Sequence, residues 1–136
     1  MIFTKVVTVY NKYLNPETRL DKFSRTVLSG VFWDEISATT RLQRGLHDAD
    51  EVTAVIPFSV VSEKQYVSPE EFQKSENKDN VFTFQKGDRI LEGNVLFEIE
   101  SRPSELDKHF TAYTITSVDT KDFGSEHMRH WEVGAN

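Results

Sequence analysis

The chain begins with an alternation that favours an extended backbone. In FTKVVTVY, residues 3–10, Val6, Thr8 and Tyr10 fall on one side and Val7 and Val9 on the other. β-Branched and aromatic side chains on both sides predict a strand covered on both faces. The polar run NKYLNPETRLDK follows, with Asn15-Pro16 as a turn signal. From Lys22 to Trp33, Phe23, Arg25 and Val27 alternate with Ser24, Thr26 and Leu28 until Gly30 interrupts the pattern. This predicts a long strand with a bulge at Gly30, paired with the first strand as a hairpin across a loop of about ten residues.

Residues 34–51 are polar and without a period, which predicts a loop. Val52, Ala54 and Ile56 then share one face of a third strand, and Pro57 ends it or places it at an edge. SPEEF holds a helix start: Ser68 is the N-cap, Pro69 suits the first helical position, and Glu71 completes a Ser-x-x-Glu box. The helix must be short, because SENKDN follows without apolar spacing. Beyond it, VFTFQ, GDRILEGN, VLFEIE, FTAYTITSV and HMRHWEV read as further strands, with Gly87-Asp88 and Glu92-Gly93-Asn94 as turns. The sum is a mainly β fold, a small antiparallel β-barrel or sandwich of about seven or eight strands with one short helix. A length of 136 residues fits one domain spanning residues 1–136.

Composition narrows the chemistry. Cysteine is absent, which removes disulfides, thiolate nucleophiles and Cys-type zinc sites and fits a reducing compartment. Twenty-two acids against 16 bases give a net charge of -6, against tight non-specific binding to nucleic-acid phosphates. The first residues lack the basic and apolar regions of a signal peptide, and no stretch reaches the ~18 apolar residues of a membrane span.

Each candidate for chemistry has a structural reading beside it. His127 and His130 make an H-x-x-H, but on a strand positions three apart face opposite sides and do not converge on one ion. His47 and His109 are isolated, and no G-x-S-x-G, G-x-x-x-x-G-K-[ST] or G-x-G-x-x-G occurs. The acidic groups Asp34-Glu35, Asp48/Asp50-Glu51 and Glu70-Glu71 read as solvated loop and helix-start charges. Trp33 and Trp131 read as core rather than as a stacking platform, and Arg41 and Arg44 in RLQR are too few for a nucleic-acid patch. The expectation is no catalytic, cofactor or metal site. In GDRILEG, Ile90-Leu91 is expected to be a short buried strand between two glycine turns.

The order of segments, with GVFW (Gly30 to Trp33), KGDRILEG (Lys86 to Gly93) and RHWEV (Arg129 to Val133) as its most specific parts, resembles a family of small prophage proteins of Gram-positive bacteria. Those proteins are encoded among head and head-to-tail joining genes. The layout is also similar to the head-completion, or stopper, proteins of tailed phages, small β-barrels that ring the portal exit. The resemblance implies a virion structural protein of the head–tail connector region, without enzymatic activity. It would reside in the host cytoplasm during assembly and then in the virion. Its implied partners are portal or adaptor and tail proteins, with a ring homo-oligomer on assembly, no membrane, and DNA only by passage. The loops Asp34 to Glu51 and Glu63 to Asn80 would supply the contacts, and the acidic balance would let DNA slide past. The alternative is a small-ligand or protein-binding β-barrel with no virion role. An enzyme with a dispersed site is a third reading.

Overall fold

The computed structural model describes residues 2–36, 51–125 and 128–136. Eight strands run in chain order: β1 (Lys5–Leu14), β2 (Asp21–Ile36), β3 (Glu51–Pro57), β4 (Gln65–Tyr66), β5 (Val81–Phe82), β6 (Arg89–Glu92), β7 (Tyr113–Lys121) and β8 (His130–Ala135). Two short helices interrupt them, α1 (Pro69–Lys74) and α2 (Ser104–Asp107). Six strands close an antiparallel barrel in the order β1-β2-β3-β8-β7-β6, and β4 and β5 form a separate parallel pair. The predicted mainly β barrel is the observed fold, and the described residues hold the predicted helix at Pro69–Lys74 and a further short one at Ser104–Asp107. The predicted loop over 34–51 lies outside the described residues between 37 and 50.

The β1–β2 hairpin is tighter than its polar residues suggest. Its ladder runs on to Leu14 opposite Asp21, which leaves only residues 15–20 as the connection. Asn15 closes that turn: its side-chain oxygen accepts from the Glu17 N–H at 2.9 Å, and its carbonyl accepts from Arg19, which sits at φ 58°. Gly30 is the expected bulge. Lys5 faces Val31 and Val6 faces Ser29, so Gly30 has no partner, and its φ of 95° suits glycine. Past the bulge β2 leaves β1 and pairs with β3 from Phe32 to Ile36. This handover bends one long strand around the barrel. Pro57 ends β3, as predicted.

The barrel interior is filled. Val7, Val9, Leu28, Ile56, Ile90 and Val133 are fully buried there, with Trp33 and Trp131 among them. One end is stopped by the segment between β3 and β6. Tyr66 and Phe58 lie 4.3 and 4.4 Å, centroid to centroid, from the Trp131 ring, and Phe84 lies at 5.5 Å. Only the first two residues of the predicted VFTFQ strand are a strand, because this stretch folds inward as part of the plug. Residues 63–80, read from sequence as a polar loop, hold β4, α1 and a 3₁₀ turn over Lys78–Asn80. Helix α1 starts where its cap predicts: the Ser68 hydroxyl accepts from the Glu71 N–H at 3.2 Å with Pro69 in the first turn, and Phe72 is fully buried.

A second, smaller core lies outside the barrel. Thr8 and Tyr10 point outward from β1, yet both are buried. Residues 93–112 fold across them and bring Val95, Ile99 and Leu106 against Tyr10 and Leu91. The predicted strand VLFEIE lies here and is not a strand. Strand β6 is already paired with β1 on one side and β7 on the other, so no edge is left for it. The unforeseen helix α2 belongs to this annex and buries Leu106.

Candidate functional site

The GDRILEG stretch is a short buried strand between two glycine turns, as expected. Gly87 turns at φ 93° and Gly93 at φ 99°, with Ile90 and Leu91 buried between them on β6. Asp88 is the notable member: it is 6% exposed and ties the plug to the barrel. One carboxylate oxygen accepts from the Asn11 amide at 3.0 Å and the Gln85 amide at 2.7 Å, and the other accepts from the Lys12 N–H at 3.2 Å. Burial pushes its pKa up, and the three hydrogen bonds pull it partly back. Asn11 completes the knot. Its side-chain amide donates to the Thr83 carbonyl at 2.8 Å, and its oxygen accepts from the Thr83 N–H at 3.1 Å, as a neighbouring strand would. The Gly-Asp pair therefore holds a turn.

The other sequence candidates do not gather. His130 opens β8; its ring lies 2.7 Å from the Met128 carbonyl and 3.1 Å from the Glu132 carboxylate. His127, His47, Arg41, Arg44, Asp48 and Asp50 lie outside the described residues. His109 is exposed beside the Phe97 ring. Glu70 and Glu71 stand in the first turn of α1, where carboxylates favour the helix dipole. Asp34 and Glu35 lie exposed at the end of β2, and Glu35 accepts from the Tyr113 hydroxyl. Glu51, the first residue of β3, is exposed. Trp33 and Trp131 are core residues, as their neighbours predicted. Among the described residues no three His, Asp or Glu side chains converge as metal ligands would.

What the surface offers instead is a groove on the outer side of β2, with a volume of about 420 Å³. Its floor is Arg25, Thr26, Val27 and Ser29 of β2. One bank is the chain from Val61 to Lys64, and the other is Asn94 and Leu96 at the start of the annex. Val61 is 71% exposed and Leu96 is 75% exposed, so each bank presents an aliphatic side chain to solvent. Polar contacts fix both banks. The Arg25 guanidinium donates to the Val95 carbonyl at 3.0 Å and to Glu98 at 3.2 Å. The Lys64 ammonium folds back onto β2, donating to the Arg25 carbonyl at 2.6 Å and the Ser24 hydroxyl at 3.0 Å. Burial lowers the Lys64 pKa, offset in part by Asp79.

Residues 2–136 match the model of a family of unknown function, DUF6751. The chain belongs to the DUF6751 family. Neither a search of curated proteins nor one of solved structures finds a match. Within this DUF6751 barrel, sequence reasoning missed the groove and the Asn11–Asp88 knot. The knot had one local signal, an acid directly after a turn glycine and before a buried pair. The groove had none, because its three walls come from distant parts of the chain.

Proposed function

We propose that this protein is a phage structural component of the head–tail connector region, acting through protein–protein contacts and without a catalytic role. The observation that carries the reading is the use of the interior. The barrel lumen and its plug are packed with aliphatic and aromatic side chains, so recognition falls to the outer surface. The likeness of GVFW, KGDRILEG and RHWEV to prophage proteins supplies the context. On this reading the partners are portal or adaptor and tail proteins. The chain forms a ring through heterologous contacts only when templated by the portal, and DNA passes without specific binding. It is present in the host cytoplasm during assembly and afterwards in the virion.

The test is electron microscopy of particles from a host in which the gene is deleted, then restored with a tagged copy. The reading expects unjoined heads and tails on deletion, and a tag at the neck on restoration. Normal tailed particles without the gene would reject it. The outer groove supports the alternative of a protein-binding barrel without a virion role, because it pairs backbone-lined walls with exposed aliphatics.

A further inference from the structure

We propose that the groove on β2 is a strand-addition site, taking an extended segment of another protein that carries aliphatic residues and one carboxylate. Ser29 exchanges both of its backbone hydrogen bonds with Val61, N–H to carbonyl at 2.9 Å and carbonyl to N–H at 3.0 Å. The polar groups of Ser29 therefore point away from β1. In an antiparallel ladder that direction recurs at every second residue, and the register from Val6–Ser29 to Leu14–Asp21 is unbroken. Hence Val27 and Arg25 also turn their N–H and C=O groups away from β1. The opposite side agrees: the Val6 carbonyl accepts from Gly93 beyond β6, not from β2.

On that outward edge β3 covers only Phe32 to Ile36. The Arg25 carbonyl is taken by Lys64. Among the described residues nothing bonds the Val27 N–H, the Val27 carbonyl or the Arg25 N–H. A closed barrel thus keeps a short open strand edge where its longest strand changes partners, and that edge lies in the groove floor. Thr26, 3% exposed and with its hydroxyl unpartnered, lines the same groove.

An unpaired N–H and C=O on a strand edge match an extended backbone. The bond pair Ser29–Val61 already sets the line such a segment would continue, antiparallel to β2. Alternate side chains of the guest would lie against Val61 and Leu96. Charge decides between possible guests. Glu98 already meets the Arg25 charge and Glu63 stands on the same bank, so the cation a β2-to-β2 pair of copies would set against its own counterpart is Lys64, released from the Arg25 carbonyl by the pairing. A guest strand instead displaces the Lys64 ammonium from the Arg25 carbonyl and leaves it facing the guest, where a carboxylate satisfies it. Lysine on an open edge also deters indiscriminate pairing, so Lys64 screens the groove until an acidic strand arrives. The inference does not depend on the connector reading, since any partner protein presenting such a segment would fit.

The experiment uses the full chain, labelled with ¹⁵N, in two steps. In the free protein, amide exchange of Val27 is expected to be on the order of 100-fold faster than that of Thr26 and Leu28, whose N–H groups face β1. Equal protection would overturn the proposal, because the edge would not be open. The second step titrates a blocked synthetic hexapeptide, Thr-Val-Glu-Val-Thr-Val. Saturable shifts at Arg25, Val27, Lys64 and Leu96 are expected. They should vanish when alternate peptide amides are N-methylated, and affinity should fall at least tenfold when the peptide Glu is Lys or when the protein carries Leu96→Asp. Absent shifts at millimolar peptide would overturn it, as would undiminished binding of the N-methylated peptide. The same shifts appearing on concentrating the protein alone would name a second copy as the occupant and overturn it too.

Discussion

The barrel interior and the annex on its outer wall bury side chains by different means. Inside, the hydrogen-bonded ladders place Val7, Val9, Leu28 and Val133 toward one another, and the aromatic plug fills what remains. In the annex, residues 93–112 lack a ladder, and single polar contacts hold them to the barrel. Thr8 donates to the Gly93 carbonyl at 2.6 Å and accepts from the Val95 N–H at 3.0 Å. Tyr10 donates to the Phe97 carbonyl at 2.6 Å, and Arg25 reaches Val95. Interior stability should therefore track side-chain volume, while annex stability should track a few bonds whose loss acts locally.

The largest effect belongs to the interior. Trp33→Ala should cost about 3–5 kcal/mol, as aromatic truncation in a core does. The loss should appear in urea denaturation as a shift of the whole transition. A loss below about 1 kcal/mol would show that Trp33 is not holding the barrel and would erase the contrast. At the joint between barrel and plug, Asp88→Ala removes the acceptor for the buried Asn11 amide and the half-buried Gln85 amide and Lys12 N–H and should cost about 2–3 kcal/mol. Asp88→Asn should not restore it. Either way round, the new NH₂ opposes a donor: the Lys12 N–H if the amide oxygen serves Asn11 and Gln85, or those two amides if it serves Lys12. Wild-type stability from Asn at 88 would show that the knot is neutral packing.

In the annex, Tyr10→Phe keeps the ring and deletes one hydrogen bond, for about 1 kcal/mol. Its sharper readout is local. Amide exchange over residues 94–99 should rise while that of Val7 and Val9 stays unchanged. A uniform rise would mean that annex and barrel open as one unit. The wild-type Tyr10 hydroxyl, raised to about 12 chiefly by burial, should ionise in a spectrophotometric titration only as the annex opens.

The same contrast explains what could be read beforehand. β1, β2 and β3 announced themselves through alternation, Gly30 through its break in that alternation, and α1 through its Ser68 cap, all of them local signals. The annex failed the reading because VLFEIE alternates as well as any true strand. Its fate was decided by β6, whose two edges are both occupied. VFTFQ failed for a related reason: the Thr83 backbone pairs with the Asn11 side chain, a partner invisible to any local window. The groove is a property of the β2 handover between β1 and β3. That handover depends on register, which no single segment encodes.

The smallest effect tests how the annex is anchored at its far end. Glu105 points its carboxylate back at the turn before α2, accepting from the N–H groups of Glu100 and Ser101 at 3.0 Å and of Arg102 at 2.9 Å, and from the Ser101 hydroxyl at 2.7 Å. The Ser101 hydroxyl and these amides, which favour the charged form, lower its pKa from 4.5 to about 2. A carboxyl lowered by folding supports the fold above its unfolded pKa and loses that support as pH falls through its folded value. The annex should therefore loosen between pH 4.5 and about 2. Asp88 acts in the opposite sense, since a raised carboxyl pKa makes protonation favour the folded state as pH falls. Comparing the wild type with Glu105→Gln cancels the Asp88 contribution. Protection of the amides at residues 99–102, taken relative to their intrinsic exchange rates at each pH, should fall on acidification in the wild type, whereas in Glu105→Gln it should already be low at neutral pH and should not respond further. Identical pH profiles for the two proteins would show that the turn is held by packing around Leu106 and not by this carboxylate.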